Sequence, residues 1–233
     1  MHRIDGPGAT VDNKFTDGDP VGGVQATTVT DDWLNAVQEE IMSVLAAAGI
    51  APVKANNGQL LAAIRGVSAG AIGPSGDKMS TLAATASATF TADEVVVKTT
   101  LGGVAYIVPN VNKTINLATV GLGGMDVGLA PASGFVSIYL VYNPTTGVHG
   151  LLACASTTSD GPVYTGANMP SGFTASALVS SWGTTAARLL VIAYQSNRMV
   201  SLMQNEAINT TVQQPLFQPI TLTTVPPNAK SVL

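Results

Sequence analysis

The longest regular pattern of apolar positions in the chain lies between residues 30 and 49. Its apolar side chains recur at intervals of three, four, three and four residues, at Leu34, Val37, Ile41, Val44 and Ala48. This is the a/d spacing of about two heptads on one face of an α-helix. Thr28 or Thr30 can cap the start of such a helix, and Gly49 can end it. The pattern therefore predicts a helix over 30–49.

These five apolar positions, called the seam below, have two interpretations that the pattern leaves open. They pack within the core of their own chain, or they join several copies of the chain. Val37 and Val44 occupy the d positions, where β-branched residues fit a leucine-type dimer poorly and leave a trimer open. A second helix is predicted over Gln59–Arg65, and Pro52 separates it from the first.

Residues 1–29 have no periodic pattern and are punctuated by glycine, proline and aspartate, which predicts an extended arm. Such an arm buries little by itself, so we expect it to be ordered by wrapping around neighbours or binding another protein. Residues 1–66 contain eight acidic and four basic residues, whereas the rest of the chain contains six of each. The arm therefore either docks on a basic surface of a partner or is an ordinary acidic, solvated loop.

The pattern changes from helical to strand-like at about residue 91, after a segment rich in small residues. Residues 67–90 are dominated by Gly, Ala, Ser and Thr, which predicts a linker or neck. Short β-branched and alternating runs follow and predict an antiparallel β-sandwich over 91–233. The predicted strands are 94–98, 103–108, 114–117, 135–142, 148–154, 177–182, 189–194 and 199–203. The predicted class is α+β, with domains 1–66 and 91–233 joined by 67–90.

Composition and charge exclude several classes of protein but do not identify one. Charged residues make up only 10% of the chain and the net charge is −4, which argues against nucleic acid as a partner. The N-terminus lacks the apolar core of a signal peptide, and no apolar run is long enough for a membrane helix. We therefore expect a chain made in the cytoplasm of its host and not inserted in a membrane.

Candidate chemistry is sparse. The chain has two histidines and one cysteine, and no Cys, His or Asp cluster has metal-ligand spacing, so no catalytic residue, metal site or cofactor is predicted. Binding of a sugar needs aromatic faces, which Tyr142, Tyr164 and Trp182 can supply. The alternative for these three aromatic residues is a place in the β-domain core.

The N-terminal segment resembles the attachment module of tail-fibre proteins from tailed bacteriophages. The resemblance covers residues 2–66 and is carried in order by the motifs HRIDGPGAT, KFTDGDP, ATTVTDDWLNAVQEEI, AAGI and NNGQLLAAIR. The remainder resembles β-rich domains of the same fibres more loosely, through the motifs YNPTTG, NMPSGFT and VPPNAK.

This resemblance implies a homotrimer assembled into the virion, with the N-terminal module joined to other tail or baseplate proteins. The distal domain would contact a glycan or protein receptor on the host surface. The expected trimer contact is the seam. The expected tail-docking residues are Arg3, Asp5, Phe15, Asp17, Asp19 and Trp33. Two alternatives stay open: a tail connector or collar fibre without a receptor, and a tailspike that degrades polysaccharide.

Overall fold

The computed structural model describes residues 2–67, 70–202 and 225–230. Two compact units divide the chain between residues 68 and 69, and each is described by itself. We call them the N-terminal unit and the β-unit. The first contains both helices and the second contains all the strands, so the fold is α+β, as predicted.

Helix α1 spans Asp31–Ala47 and α2 spans Gln59–Val67. Thr30 caps α1, its Oγ1 accepting a hydrogen bond from Trp33 N at 3.4 Å. Gly49 follows the helix with a φ of 67°, the left-handed conformation that ends helices. The predicted bounds of this helix therefore agree with the structure to within a turn.

The arm before α1 is folded, which differs from the extended arm expected from its composition. Thr28 N donates to the Pro7 carbonyl oxygen at 2.8 Å, and Thr27 N donates to the Thr16 carbonyl oxygen at 2.9 Å. Ile4 is buried. Backbone hydrogen bonds between segments distant in sequence hold the arm together, so it does not need a large apolar core to be ordered.

Among its described residues the β-unit has nine strands, and all the pairings between these strands are antiparallel. The hydrogen-bonded order along the main path is β6-β5-β7-β3-β2-β8-β9, and β1 and β4 also pair with β3. The strands are β1 Gly73–Ser75, β2 Lys78–Thr81, β3 Ser87–Lys98, β4 Ala105–Asn116, β5 Phe135–Tyr142, β6 His149–Ala155, β7 Ala175–Gly183, β8 Ala193–Ser196 and β9 Met199–Leu202. This arrangement is compatible with the predicted sandwich.

The core of the β-unit lies between two groups of strands. Strands β3 and β7 pair only at Lys98 and Ser176, so the group β5–β7 meets the group around β3 at one corner. Buried side chains from both groups, among them Phe90, Ile115 and Trp182, form one continuous cluster. A loop over residues 121–126 runs along the outer edge of β6, where Gly123 N donates to the Leu151 carbonyl oxygen at 2.7 Å.

Three details of the predicted strand pattern differ from the structure. The predicted linker over 67–90 contains β1, β2 and the start of β3, because its alternation is carried by small residues such as Ala88. Strand β4 continues through Pro109, which is tolerated because Pro109 is exposed and β4 pairs with β3 alone. Leu190 forms isolated bridges with Thr85 and Thr184, and the strand follows at Ala193.

A buried polar network fastens β8 to its neighbours. Asp77 Oδ2 accepts hydrogen bonds from Gln195 Nε2 at 2.6 Å and from Arg198 N at 2.9 Å. Gln195 also donates to the Val179 carbonyl oxygen and accepts from Ser180. These bonds tie the β1–β2 turn, β7 and the β8–β9 hairpin together. Asp77 Oδ1 is buried and has no hydrogen-bond partner among the residues that the structure describes.

Candidate interaction sites

The seam of α1 divides into an accessible part and a packed part. Leu34 is 54% exposed and Ile41 is 40% exposed, while Val37 and Val44 are half-buried. At the other end of the helix, Ala48 is buried in a small cluster with Leu45 of α1 and Ala63 of α2. The structure thus packs Ala48 and, in part, Val44 within its own chain and leaves Leu34 and Ile41 exposed.

Helix α2 adds apolar surface that the sequence pattern did not single out. Leu61 and Val67 are exposed, as is Val53 in the loop before the helix. Ala63 faces α1 instead. All five residues of the run LLAAI are apolar, so the sequence pattern does not show which of them point outward. The packing of α2 on α1 decides it.

The predicted tail-docking residues are all accessible or half-buried, but the structure brings together only two of them. Phe15 and Trp33 form an edge-to-face aromatic pair with ring centroids 5.1 Å apart, and Phe15 remains 49% exposed. The pair places an aromatic patch beside the first turn of α1. Exposed aromatic rings of this kind are enriched where proteins bind one another.

The charged members of the predicted docking set are spread along the arm. Arg3 Nη1 donates to the Asp12 carbonyl oxygen at 3.4 Å, and Asp5 lies 3.7 Å from His2 Nε2. Asp19 Oδ1 accepts from Val21 N at 3.0 Å within a tight turn, and Asp17 is exposed. Asp19 therefore has a local structural role as well, whereas the other carboxylates are open to solvent.

The three aromatic residues considered for sugar binding lie in different surroundings. Trp182 has no exposed surface and its Nε1 donates to the Val191 carbonyl oxygen at 2.9 Å. Tyr164 is 7% exposed, and Tyr142 is half-buried beside Tyr106 with ring centroids 5.3 Å apart. A sugar stacks on an accessible ring face, so Trp182 and Tyr164 are not available for it in this structure; both belong to the core, the alternative given for them.

Tyr164 belongs to a second buried cluster, on the face of β5 and β6 that points away from the main core. Its hydroxyl donates to Asp126 Oδ2 at 2.7 Å, and its ring packs edge-to-face on Tyr139 at 5.4 Å. Burial, followed by the hydrogen bond to Asp126, raises the pKa of Tyr164, and burial followed by Asp160 raises that of Tyr139. Burial and the nearby carboxylates of Asp160 and Asp126 raise the pKa of Cys154 to about 12.

The raised pKa values of Tyr139, Cys154 and Tyr164 mean that these side chains stay protonated at neutral pH, so none of them is activated as a nucleophile. A thiol is a nucleophile only as the thiolate, and a raised pKa makes the thiolate of Cys154 scarce at neutral pH. Burial, followed by Lys113, lowers the pKa of His149, which lies at the start of β6. Within residues 2–67, 70–202 and 225–230, no group of three or more His, Cys, Asp or Glu side chains could hold a metal ion.

None of the helices in the described part of the chain is both long enough and apolar enough to cross a membrane.

No family model matches the chain, and no solved structure matches it. Part of the chain is similar to the uncharacterized protein StfP of Escherichia coli (strain K12). The two are 40% identical over 83 residues, which cover 33% of this chain and 40% of that protein. The match therefore spans less than half of the relative.

Proposed function

We propose that the chain is a structural protein of a bacteriophage tail fibre, with the N-terminal unit as its attachment and assembly module. The observation that carries the proposal is the open part of the α1 seam. Leu34 and Ile41 are exposed apolar side chains at heptad spacing on a helix whose far end packs against α2 of the same chain. Exposed apolar surface with a regular register is typical of helices that associate.

The partial similarity to StfP supports the same proposal. That relative has a name of the kind given to side tail fibres, and 40% identity over 83 residues is a substantial likeness for a segment of this length. The motifs of residues 2–66 point to the same class of protein. We infer that the chain acts in the tail of a virion without an enzymatic activity of its own.

We propose further that three copies join through Leu34, Val37, Ile41 and Val44. Val37 and Val44 at the d positions disfavour the leucine-type dimer. These two half-buried valines alternate with the exposed Leu34 and Ile41 and complete an apolar stripe. Self-association would cover the side chains that a single copy leaves in water, and each buried methylene would contribute about 0.8 kcal/mol.

The aromatic pair Phe15 and Trp33 is our proposed contact with another tail or baseplate protein. The exposed carboxylates of Asp5 and Asp17 lie on either side of Phe15 in the sequence of the arm. They would favour a partner whose surface is basic. For the β-unit we propose contact with the host surface. Tyr142 is the member of the original aromatic set that keeps accessible surface for such a contact.

The proposal is tested by locating the chain on purified virions of the phage that encodes it. An affinity tag is labelled with gold and the particles are imaged by electron microscopy. We expect label on the tail, and its loss when Phe15 and Trp33 are both replaced by alanine. Label on the capsid, or no label on intact particles, would contradict the proposal. Binding of the full chain to susceptible but not to resistant cells separates a receptor-binding fibre from a connector.

A further inference from the structure

A short turn at residues 225–230 lies against the outer face of β5 and β7. Ala229 N donates to the Pro226 carbonyl oxygen at 3.0 Å, which closes the turn around Pro227 and Asn228. Proline is favoured at the first central position of a turn because its ring fixes φ. Val225, Pro226 and Asn228 are half-buried. The turn is therefore seated on the β-unit rather than projecting from it.

The side-chain amide of Asn228 joins two strands. Asn228 Nδ2 donates to Ser137 Oγ at 3.2 Å, and Ser181 Oγ donates to Asn228 Oδ1 at 3.0 Å. Ser137 of β5 and Ser181 of β7 are directly opposed in the antiparallel ladder. Opposed residues place their side chains on the same face of a sheet and side by side, so one amide satisfies both hydroxyls.

A third residue fixes the direction of this contact. Ser137 Oγ donates to Asp160 Oδ2 at 2.5 Å, and Ser137 is fully buried. A hydroxyl has a single proton. Ser156 Oγ also lies within hydrogen-bond distance of Ser137 Oγ, at 3.0 Å. A carboxylate oxygen can only accept, so the proton of Ser137 is directed to Asp160 and Ser156 is the donor in the second contact. Ser137 can therefore only accept a hydrogen bond from position 228. An amide can supply the N–H that this requires, whereas a carboxylate of the same shape cannot.

We propose that Ser137, Ser181 and Asp160 form a peptide-binding site that recognises an asparagine presented on a prolyl turn. Its occupant is the chain's own segment 225–230, held as a reversible latch. That segment is separated from Leu202, the last residue of β9, by the 22 residues 203–224. Two neutral hydrogen bonds make a weak contact, and the covalent connection of the segment to the same chain raises its effective concentration at the site.

The test measures binding of the labelled peptide Thr-Val-Pro-Pro-Asn-Ala-Lys to the full chain, up to millimolar concentration, by NMR or fluorescence anisotropy. In the wild type the chain's own turn competes with the peptide. We expect Asn228→Ala, which weakens that competitor, to bind the peptide at least about 10-fold more tightly than the wild type does. Lys230→Ala, on the exposed end of the same turn, is the matched control and should behave as the wild type.

The location and the chemistry of the site are tested in the same assay. Adding Ser181→Ala to Asn228→Ala should abolish the gain, and a peptide with aspartate in place of asparagine should not bind. Equal binding to wild type and Asn228→Ala, or binding to neither, would overturn the proposal. A wild type that binds more peptide on dilution would show that a second copy fills the site, because an intrachain latch does not depend on protein concentration.

Discussion

The two units of the chain differ in the size of the apolar core that each forms. Among its described residues, the N-terminal unit buries Ile4, Leu45, Ala48 and Ala63, while exposing Leu34, Ile41 and several others. The β-unit buries a continuous cluster that extends from Met79 to Ala193 along the chain. Burial of apolar surface supplies most of the favourable free energy of folding. The β-unit therefore has the larger apolar core, and the seam of the N-terminal unit is left in contact with solvent.

The largest effect that separates the units is expected from Trp182→Ala. Removing a fully buried indole leaves a cavity and removes one of the two hydrogen bonds that the Val191 carbonyl oxygen accepts, at a cost of about 3–5 kcal/mol in the free energy of unfolding of the β-unit. Denaturant unfolding followed by circular dichroism measures it. Tyr194→Ala removes an exposed aromatic residue from the same unit and should change the free energy by less than about 0.5 kcal/mol. Equal effects would mean that the core is not where the structure places it.

An intermediate effect is expected from Ile41→Asp, which should abolish self-association and leave unfolding of the β-unit unchanged. A charge at the centre of a shared apolar seam is desolvated without a partner when the copies join. Light scattering measures the mass of the particle in solution. Asn35→Asp on the same helix is exposed and near its N-terminus, so it should retain the mass of the wild type. A wild type that is a stable monomer would contradict the seam.

The smallest effect is a loss of stability of the β-unit in alkali. Cys154 has a pKa of about 12 when folded and 9.0 as its reference value. Its contribution to stability is therefore complete below pH 9 and is lost as pH rises from 9 towards 12. The pKa values of Tyr139 and Tyr164 are also raised by folding, so these residues add to the loss of stability from about pH 10 upward. The melting temperature should fall across this range.

Cys154→Ala removes one of the three titrating groups, so its melting temperature should decline less steeply between pH 9 and 12 than that of the wild type. Tyr194→Phe, at an exposed tyrosine, is the matched control and should follow the wild-type curve. Identical slopes for all three proteins would argue against a buried thiol in the packed cluster around Tyr139 and Tyr164.

Local patterns in the sequence predicted the elements whose own residues carry the signal. The heptad spacing located α1, and the two runs on either side of the YNPTTG turn located β5 and β6. The predicted linker over 67–90 was wrong because only Ala88 and Phe90 mark the buried face of β3 within it, and Ala88 does so with a methyl group alone. A small residue at a buried position gives almost no contrast with a small residue at an exposed one.

The sites were harder to predict because they depend on contacts distant in sequence. The exposure of Leu34 and Ile41 was left open by the pattern, since it depends on how much of α1 is covered by α2. The burial of Trp182 depends on strands that come from other parts of the chain. Ser137 and Asn228 are 91 residues apart, and no local motif links them.

The glycine-rich loop beside β6 has a consequence for crowding. An unpaired strand edge is a template on which a neighbouring chain can add a strand, and this is a route to aggregation. Residues 123–126 engage that edge through Gly123 N, Asp126 N and the Gly124 carbonyl oxygen, which bond to Leu151 and Ala153. Where many β-units of low charge lie close together, these backbone hydrogen bonds would prevent edge-to-edge pairing of β6 between neighbouring copies.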